Sequence, residues 1–163
     1  MRQVISLDPF DVRLLAALQA DASRSNAELA ETVGLSPSQI SRRRLALETE
    51  GLITGYRAVL DAGRLGLAVL VFIHVALDTH SRDNAQLLQS LVEADPNILE
   101  AYSLTGEADY LLKVIVQDLA ELSRVVNEVL LPHPAVARVR SEIVLNTLKR
   151  QAALPLGHLR RGA

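Results

Sequence analysis

The 163-residue sequence has no cysteine, no tryptophan and one methionine, and aromatic residues make up only 3% of it. Without cysteine there is no disulfide framework and no thiolate metal site, a composition that suits a reducing compartment. Long apolar runs are missing too. The stretch from Leu65 to Leu77 is too short to span a bilayer and is interrupted by Gly66 and His74. The opening MRQVISLDPF lacks the apolar core of a secretory signal, so a soluble, cytoplasmic protein with no membrane partner is expected. There is no HExxH, no GxSxG and no glycine-rich phosphate loop, and the histidines at 74, 80, 133 and 158 are scattered. No catalytic residue, metal site or cofactor is therefore expected. An overall basic excess is absent as well, the formal net charge being −2. Residues 1–60 hold seven arginines against seven acids, and residues 61–163 hold ten basic and twelve acidic side chains. Any nucleic-acid contact must come from a local patch, with modest affinity per subunit and a need for multivalency.

What is present is a 49% hydrophobic chain, enough for one large domain or two small ones. It is organised around RSNAELAETVGLSPSQISRRRLALETEGLITGYR, from Arg24 to Arg57. Ser25 with Glu28, and Ser36 with Gln39, have the spacing of two capping boxes, and Pro37 suits the first helical position. Gly34 between them closes the first helix through a positive φ. Leu35 and Ile40 are spaced as a hydrophobic staple. Two capped helices around a glycine turn predict a helix-turn-helix. On the second helix, Ile40 and Leu47 face the core, while Ser38, Ser41, Arg42 and Leu45 face away. Arg43 and Arg44 flank the buried stripe, with stems packed and heads expected to reach outward. Candidate DNA-contacting residues are Ser36, Ser38, Gln39, Ser41, Arg42, Arg43 and Arg44, since arginine serves both phosphates and guanine edges. The competing reading is a solvated basic helix in a bundle.

Upstream, LDPFDVRLLAALQADA predicts a support helix capped by Asp8, with Pro9 and Asp11 in its first turn, Leu7 stapled to Val12, and Leu14, Leu15 and Leu18 inward. Downstream, Gly51 ends the second helix of the motif, and LITGYRAVL reads as a short strand or small wing. Arg57 there is either a phosphate contact or a solvent-facing strand residue. DAGRLG marks a boundary. The remainder alternates β, α, β, β, α, β, from LAVLVFIHVAL through SRDNAQLLQSLVEAD, NILEAYSLT, GEADYLLKVIVQ and DLAELSRVVNEVLL to VARVRSEIVLNTLK. The last strand places Arg138 and Arg140 on one face and Val139 on the other. This order predicts a ferredoxin-like sheet with two helices on one face and an apolar, exposed opposite face that calls for a partner subunit. The tail QAALPLGHLRRGA reads as mobile or loosely docked, with Arg160 and Arg161 as a candidate second DNA contact. The expected organisation is α+β: a winged helix-turn-helix domain (1–60), a linker (61–66), a βαββαβ domain (67–150) and a tail (151–163).

In order and spacing, LDPFD, ELAETVGLSPSQISRR, LETEGLITGYRAVLD, YSLTGEADYLLKV and LPHPAVARVRSEIVL resemble the Lrp/AsnC family of transcriptional regulators, over nearly the whole chain. The resemblance implies a DNA-binding head and an effector (RAM) domain that pairs into homodimers through its sheets, often assembled as octamers. It further implies a small effector, usually an amino acid, bound near the turn between the middle strands at contacts between dimers. The matching positions are Leu104, Thr105, Gly106, Asp109 and Tyr110. Glycine would let backbone amides approach a carboxylate, and aspartate would pair with an α-ammonium group. TGEAD is equally a plain tight hairpin. Arg44 departs from the family, which favours an aliphatic residue there and basic or polar ones at Leu45 and Ala46. His74 stands where an aliphatic residue is usual, either as a pH-sensitive or ligand-facing group or as a histidine satisfied at a dimer interface. Two other functions stay open: an amino-acid-binding oligomer without specific DNA binding, and a tetrapyrrole decarboxylase of similar fold.

Overall fold

Three capped helices build the first part of the chain. Asp8 caps α1 (Pro9–Ala20) by accepting from the Phe10 and Asp11 amides at 2.8 and 2.9 Å, and Asp11 reciprocates on the Asp8 amide at 3.2 Å. Ser25 and Glu28 form the box of α2 (Asn26–Val33), and Ser36 and Gln39 that of α3 (Pro37–Thr49). Gly34 ends α2 at φ 82°, a left-handed conformation that glycine adopts without strain. Leu14, Leu18, Leu29, Val33, Ile40 and Leu47 bury their side chains together, with Leu7 and Leu35 packed at the edge. This computed structural model describes residues 7–78, 81–150 and 153–161. The chain divides into two units, residues 1–59 with 149–163 and residues 60–148.

The strand expected at 52–60 is not formed. A strand exists only as part of a ladder, and no described segment pairs with this one. Its residues after Ile53 are exposed. The tail, by contrast, is docked on α1. The Gln19 side-chain carbonyl accepts from the Leu154 amide at 2.6 Å, and its NH₂ donates to the Leu154 carbonyl at 3.3 Å. A 3₁₀ turn at Gly157–Arg161 follows. The side chains of Arg160 and Arg161 lie outside the described residues.

The second unit has the element order read from the sequence: β1 (Val69–Leu77), α4 (Arg82–Ala94), β2 (Ile98–Ser103), β3 (Tyr110–Val116), α5 (Leu119–Arg124) and β4 (Val136–Ile143). Between α5 and β4 the helix widens into a π-helical stretch, Val125–Leu130. The sheet runs β2-β3-β1-β4 with every neighbour antiparallel. Alternation decides its inner face. Val71, Ile73, Val75 and Leu77 of β1 and Leu112, Val114 and Val116 of β3 are buried against Leu88 of α4 and Leu122, Val125 and Leu130.

The opposite face departs from the apolar surface expected. Leu70, Phe72, Leu111 and Ile115 are there and half-buried, but rows of charge cross them. The strand register sets Glu100, Lys113, Phe72 and Glu142 side by side, and next to them Tyr102, Leu111, His74 and Arg140. Lys113 Nζ lies 2.8 Å from Glu100, which also accepts from the Tyr102 hydroxyl. Lys113 first, and then Tyr102, holds the Glu100 carboxyl below the usual carboxylate range, and Glu100 in turn raises the Tyr102 hydroxyl.

Candidate nucleic-acid interface and ligand pocket

The turn and caps fix which side of α3 is free. Ser36 and Gln39 are tied to each other. Gln39 Oε1 accepts from the Ser36 amide and hydroxyl, both at 3.0 Å, and Ser36 Oγ accepts from the Gln39 amide at 3.3 Å. Their side chains set where the helix begins. Beyond them Ser38, Ser41, Arg42 and Leu45 are exposed, with Leu45 64% accessible. Arg42 has no ion pair or hydrogen-bond partner among the described residues.

The next two arginines turn the other way, which corrects the expectation that their heads reach outward. Arg43 Nη1 lies 2.8 Å from Asp8 Oδ2 and 2.6 Å from Asp11 Oδ1, and its guanidinium sits 5.6 Å from the Phe10 ring centroid. Arg44 Nε donates to the Tyr56 hydroxyl at 2.9 Å, Nη1 reaches Asn26 Oδ1 at 3.4 Å, and the head lies over the Tyr56 ring. The Tyr56 hydroxyl then donates to Glu48 at 2.8 Å. Burial, with a smaller contribution from Glu48, raises that hydroxyl's pKa against the opposing pull of Arg44. The physical cause is proximity. Packing α1 against α3 sets the acidic cap of one helix beside Arg43 of the other, while Arg44 is turned to Tyr56, Asn26 and Glu48. Arg57 remains exposed and unpaired among the described residues.

In the second unit, the turn between β2 and β3 borders a cavity of about 420 Å³. Leu104, Thr105 and Gly106 line it, with Glu107 and Ala108. His74, Ala76, Arg138, Val139 and Arg140 complete the wall from β1 and β4. Arg138 and Arg140 were legible only as two residues on one strand face. The register opposite Ala76 and His74 is what brings them to the turn. Arg140 Nη2 lies 2.8 Å from Glu142, whose other oxygen is 3.7 Å from His74 Nε2.

Asp109 and Tyr110 fall elsewhere, beside Leu77, Ser81 and Ser103 on a separate cavity of about 300 Å³. Asp109 is built into the turn. Its carbonyl accepts from the Leu104 amide at 2.8 Å, its amide donates to Val75 at 3.1 Å, and its Oδ2 accepts from the Leu77 amide at 2.7 Å. Leu77 lies past the last β1–β3 pair, so its amide needs a side-chain acceptor. The carboxylate expected to meet an ammonium group thus already has a structural use. Gly106 has an ordinary φ, and a Cβ built on it meets nothing within 4 Å. Neither turn geometry nor packing explains a glycine there.

Residues 70–154 match the Lrp/AsnC ligand binding domain, and residues 7–48 match the AsnC-type helix-turn-helix domain. The Bkd operon transcriptional regulator of Pseudomonas aeruginosa is 36% identical over 92% of this chain and 98% of its own length. The leucine-responsive regulatory protein of Klebsiella pneumoniae is 35% identical over 91% of this chain and 90% of its own. A transcriptional regulator of Neisseria meningitidis, solved in complex with L-Met, superposes with a TM-score of 0.91 at 36% identity, covering 94% of this chain and 99% of that one. These relatives are named as regulators, not enzymes, and both halves of the chain match one family in the same order. The chain belongs to the Lrp/AsnC family of DNA-binding transcriptional regulators.

Proposed function

We propose that the exposed start of α3 reads double-stranded DNA through Ser38, Ser41 and Arg42. Ser36 and Gln39 set the helix start, and Arg43 and Arg44 hold the helix rather than contact bases. Arg57 adds a phosphate contact from the segment after α3. The observation that carries this reading is the exposed, unpaired Arg42, which follows the exposed Ser38 and Ser41 on a helix with a locked N-terminus. A groove-entering helix presents its early residues to base edges, and serine and arginine are suited to phosphates and base acceptors. With Arg42 and Arg57 as its only proposed cationic contacts, each head binds weakly, so two heads on one assembly are needed for tight binding.

The cavity at the β2–β3 turn takes the effector, an amino acid, as the names of a leucine-responsive relative and of a regulator solved with L-Met support. The chain acts as a homodimer through the half-buried sheet face, with higher assembly to octamers, and works in the cytoplasm where its DNA is. The effector acts by linkage, shifting DNA binding only by its differential affinity for the states it joins. The test is fluorescence anisotropy of a duplex from the gene's own upstream region against a scrambled duplex, over several salt concentrations, with and without amino acids. Selective binding that changes with amino acids is expected. Equal, weak and strongly salt-dependent binding to both duplexes would favour an amino-acid-binding oligomer whose head acts through charge alone.

A further inference from the structure

Resting on the reading of the β2–β3 cavity as the effector site, we propose that it selects an acidic amino acid, with L-glutamate as the best fit. The observation is the charge count of its wall. Arg138 and Glu107 have no ion-pair or hydrogen-bond partner among the described residues, and both are exposed to the cavity. A zwitterion needs one cation and one anion, which these two supply. The wall carries a second guanidinium. Arg140 uses one nitrogen on Glu142, and a guanidinium has five N–H donors, so it retains capacity for a further carboxylate. Two guanidiniums and one free carboxylate match a ligand with two carboxylates and one ammonium group.

Spacing supports the same class. Arg138 and Arg140 stand two residues apart on one face of β4, about 7 Å along the strand. That separation suits an α-carboxylate and a side-chain carboxylate joined through two methylenes. An aliphatic side chain placed there would desolvate a guanidinium without pairing it, a penalty that works against leucine-like ligands. Gly106 completes the site. It lines the cavity beside Thr105 and Glu107, although the fold itself makes no demand for glycine there.

Isothermal titration of the full-length protein with L-glutamate, L-glutamine, L-leucine and L-methionine tests the proposal without any variant. Glutamate and glutamine are nearly isosteric, so their ratio reads the second carboxylate alone. Glutamate is expected to bind at least about tenfold tighter than glutamine. Arg140→Ala should bring glutamate down to the glutamine level and leave glutamine unchanged, and Arg138→Ala should weaken both. Circular dichroism of each variant reports folding. Equal binding of glutamate and glutamine, or tightest binding of leucine or methionine, overturns the acidic class while leaving an amino-acid effector in place. Binding of none of the four overturns both readings.

Discussion

Replacing Arg43 with alanine separates two roles that a basic recognition helix can confuse. The guanidinium is 2.6 Å from Asp11 and 2.8 Å from Asp8, with side-chain exposures of 24% for Arg43, 16% for Asp11 and 43% for Asp8. The Asp11 contact is a partly buried charged hydrogen bond, a type whose loss costs about 1.5–3 kcal/mol. The Asp8 contact is more exposed and is discounted to about 0.5 kcal/mol for solvent screening. The Phe10 ring adds about 0.5 kcal/mol. Against this, Arg43 Nε is buried with no hydrogen-bond partner, a penalty that alanine removes. The net loss is therefore set near the lower end, about 2 kcal/mol, or on the order of 6 °C in melting temperature for a chain of this size.

Two assays on the same variant decide the role. Thermal melting should show the loss. The slope of log affinity against log salt on duplex DNA, measured well below the melting transition, should stay at the wild-type value. Arg42→Ala should do the reverse, leaving melting unchanged and lowering the slope by about 0.9. A double-mutant cycle between Arg43→Ala and Asp11→Ala should give a coupling of at least about 1 kcal/mol. Wild-type melting for Arg43→Ala together with a reduced salt slope would refute the reasoning, because it would place the guanidinium on a phosphate.

Other perturbations follow from single contacts. Gly34→Ala should destabilise the protein by about 1 kcal/mol in urea denaturation, because alanine cannot hold φ 82° without strain. For Asp8, burial works to raise the carboxyl, but the Asp11 amide, Arg43 and the Phe10 amide outweigh it and hold the pKa below the usual range. Its contribution is thus complete at neutral pH and is lost as pH falls below the usual carboxylate range through the lowered value, so Asp8→Asn should flatten the acid limb of the stability profile below about pH 4. Gln19→Ala removes both bonds to Leu154 and should speed hydrogen exchange of the Leu154 amide, with little effect on β1 or β3 amides. Gly106→Ala should leave melting within about 0.5 kcal/mol of wild type while weakening effector binding in calorimetry.

The features that were legible in the sequence are those with local causes. Asp8 with Asp11, Ser25 with Glu28 and Ser36 with Gln39 are pairs three residues apart, and each forms the reciprocal cap its spacing predicts. In β1, by contrast, burial alternates because side-chain direction in a strand depends on parity alone. LVFIHVAL is apolar on both faces except at His74, so only its β character was legible and not which half is buried. The strand at 52–60 is absent for the complementary reason. Alternation states that a segment can be a strand, but only a partner makes it one, and no described segment provides that partner.

Charge was the hardest feature to read, since its meaning depends on neighbours distant in sequence. RRR looks like three equivalent DNA contacts. Helical phase distinguishes Arg42 from the two residues after it, and that much was visible. That Arg43 and Arg44 face an acidic cap and a tyrosine follows only from how α1 and the 52–60 segment lie against α3. The same argument applies at the β2–β3 turn, with the opposite outcome. Asp109, the apparent ligand for an ammonium group, is drawn into the end of β1, while Arg138, unremarkable in VARVRSEI, is carried by strand register to the cavity. In both places the side chain that keeps a free charge is the one the fold leaves without a neighbour of opposite sign. That criterion, more than residue type or motif position, is the basis on which we propose Arg42 for DNA and Arg138 for the effector.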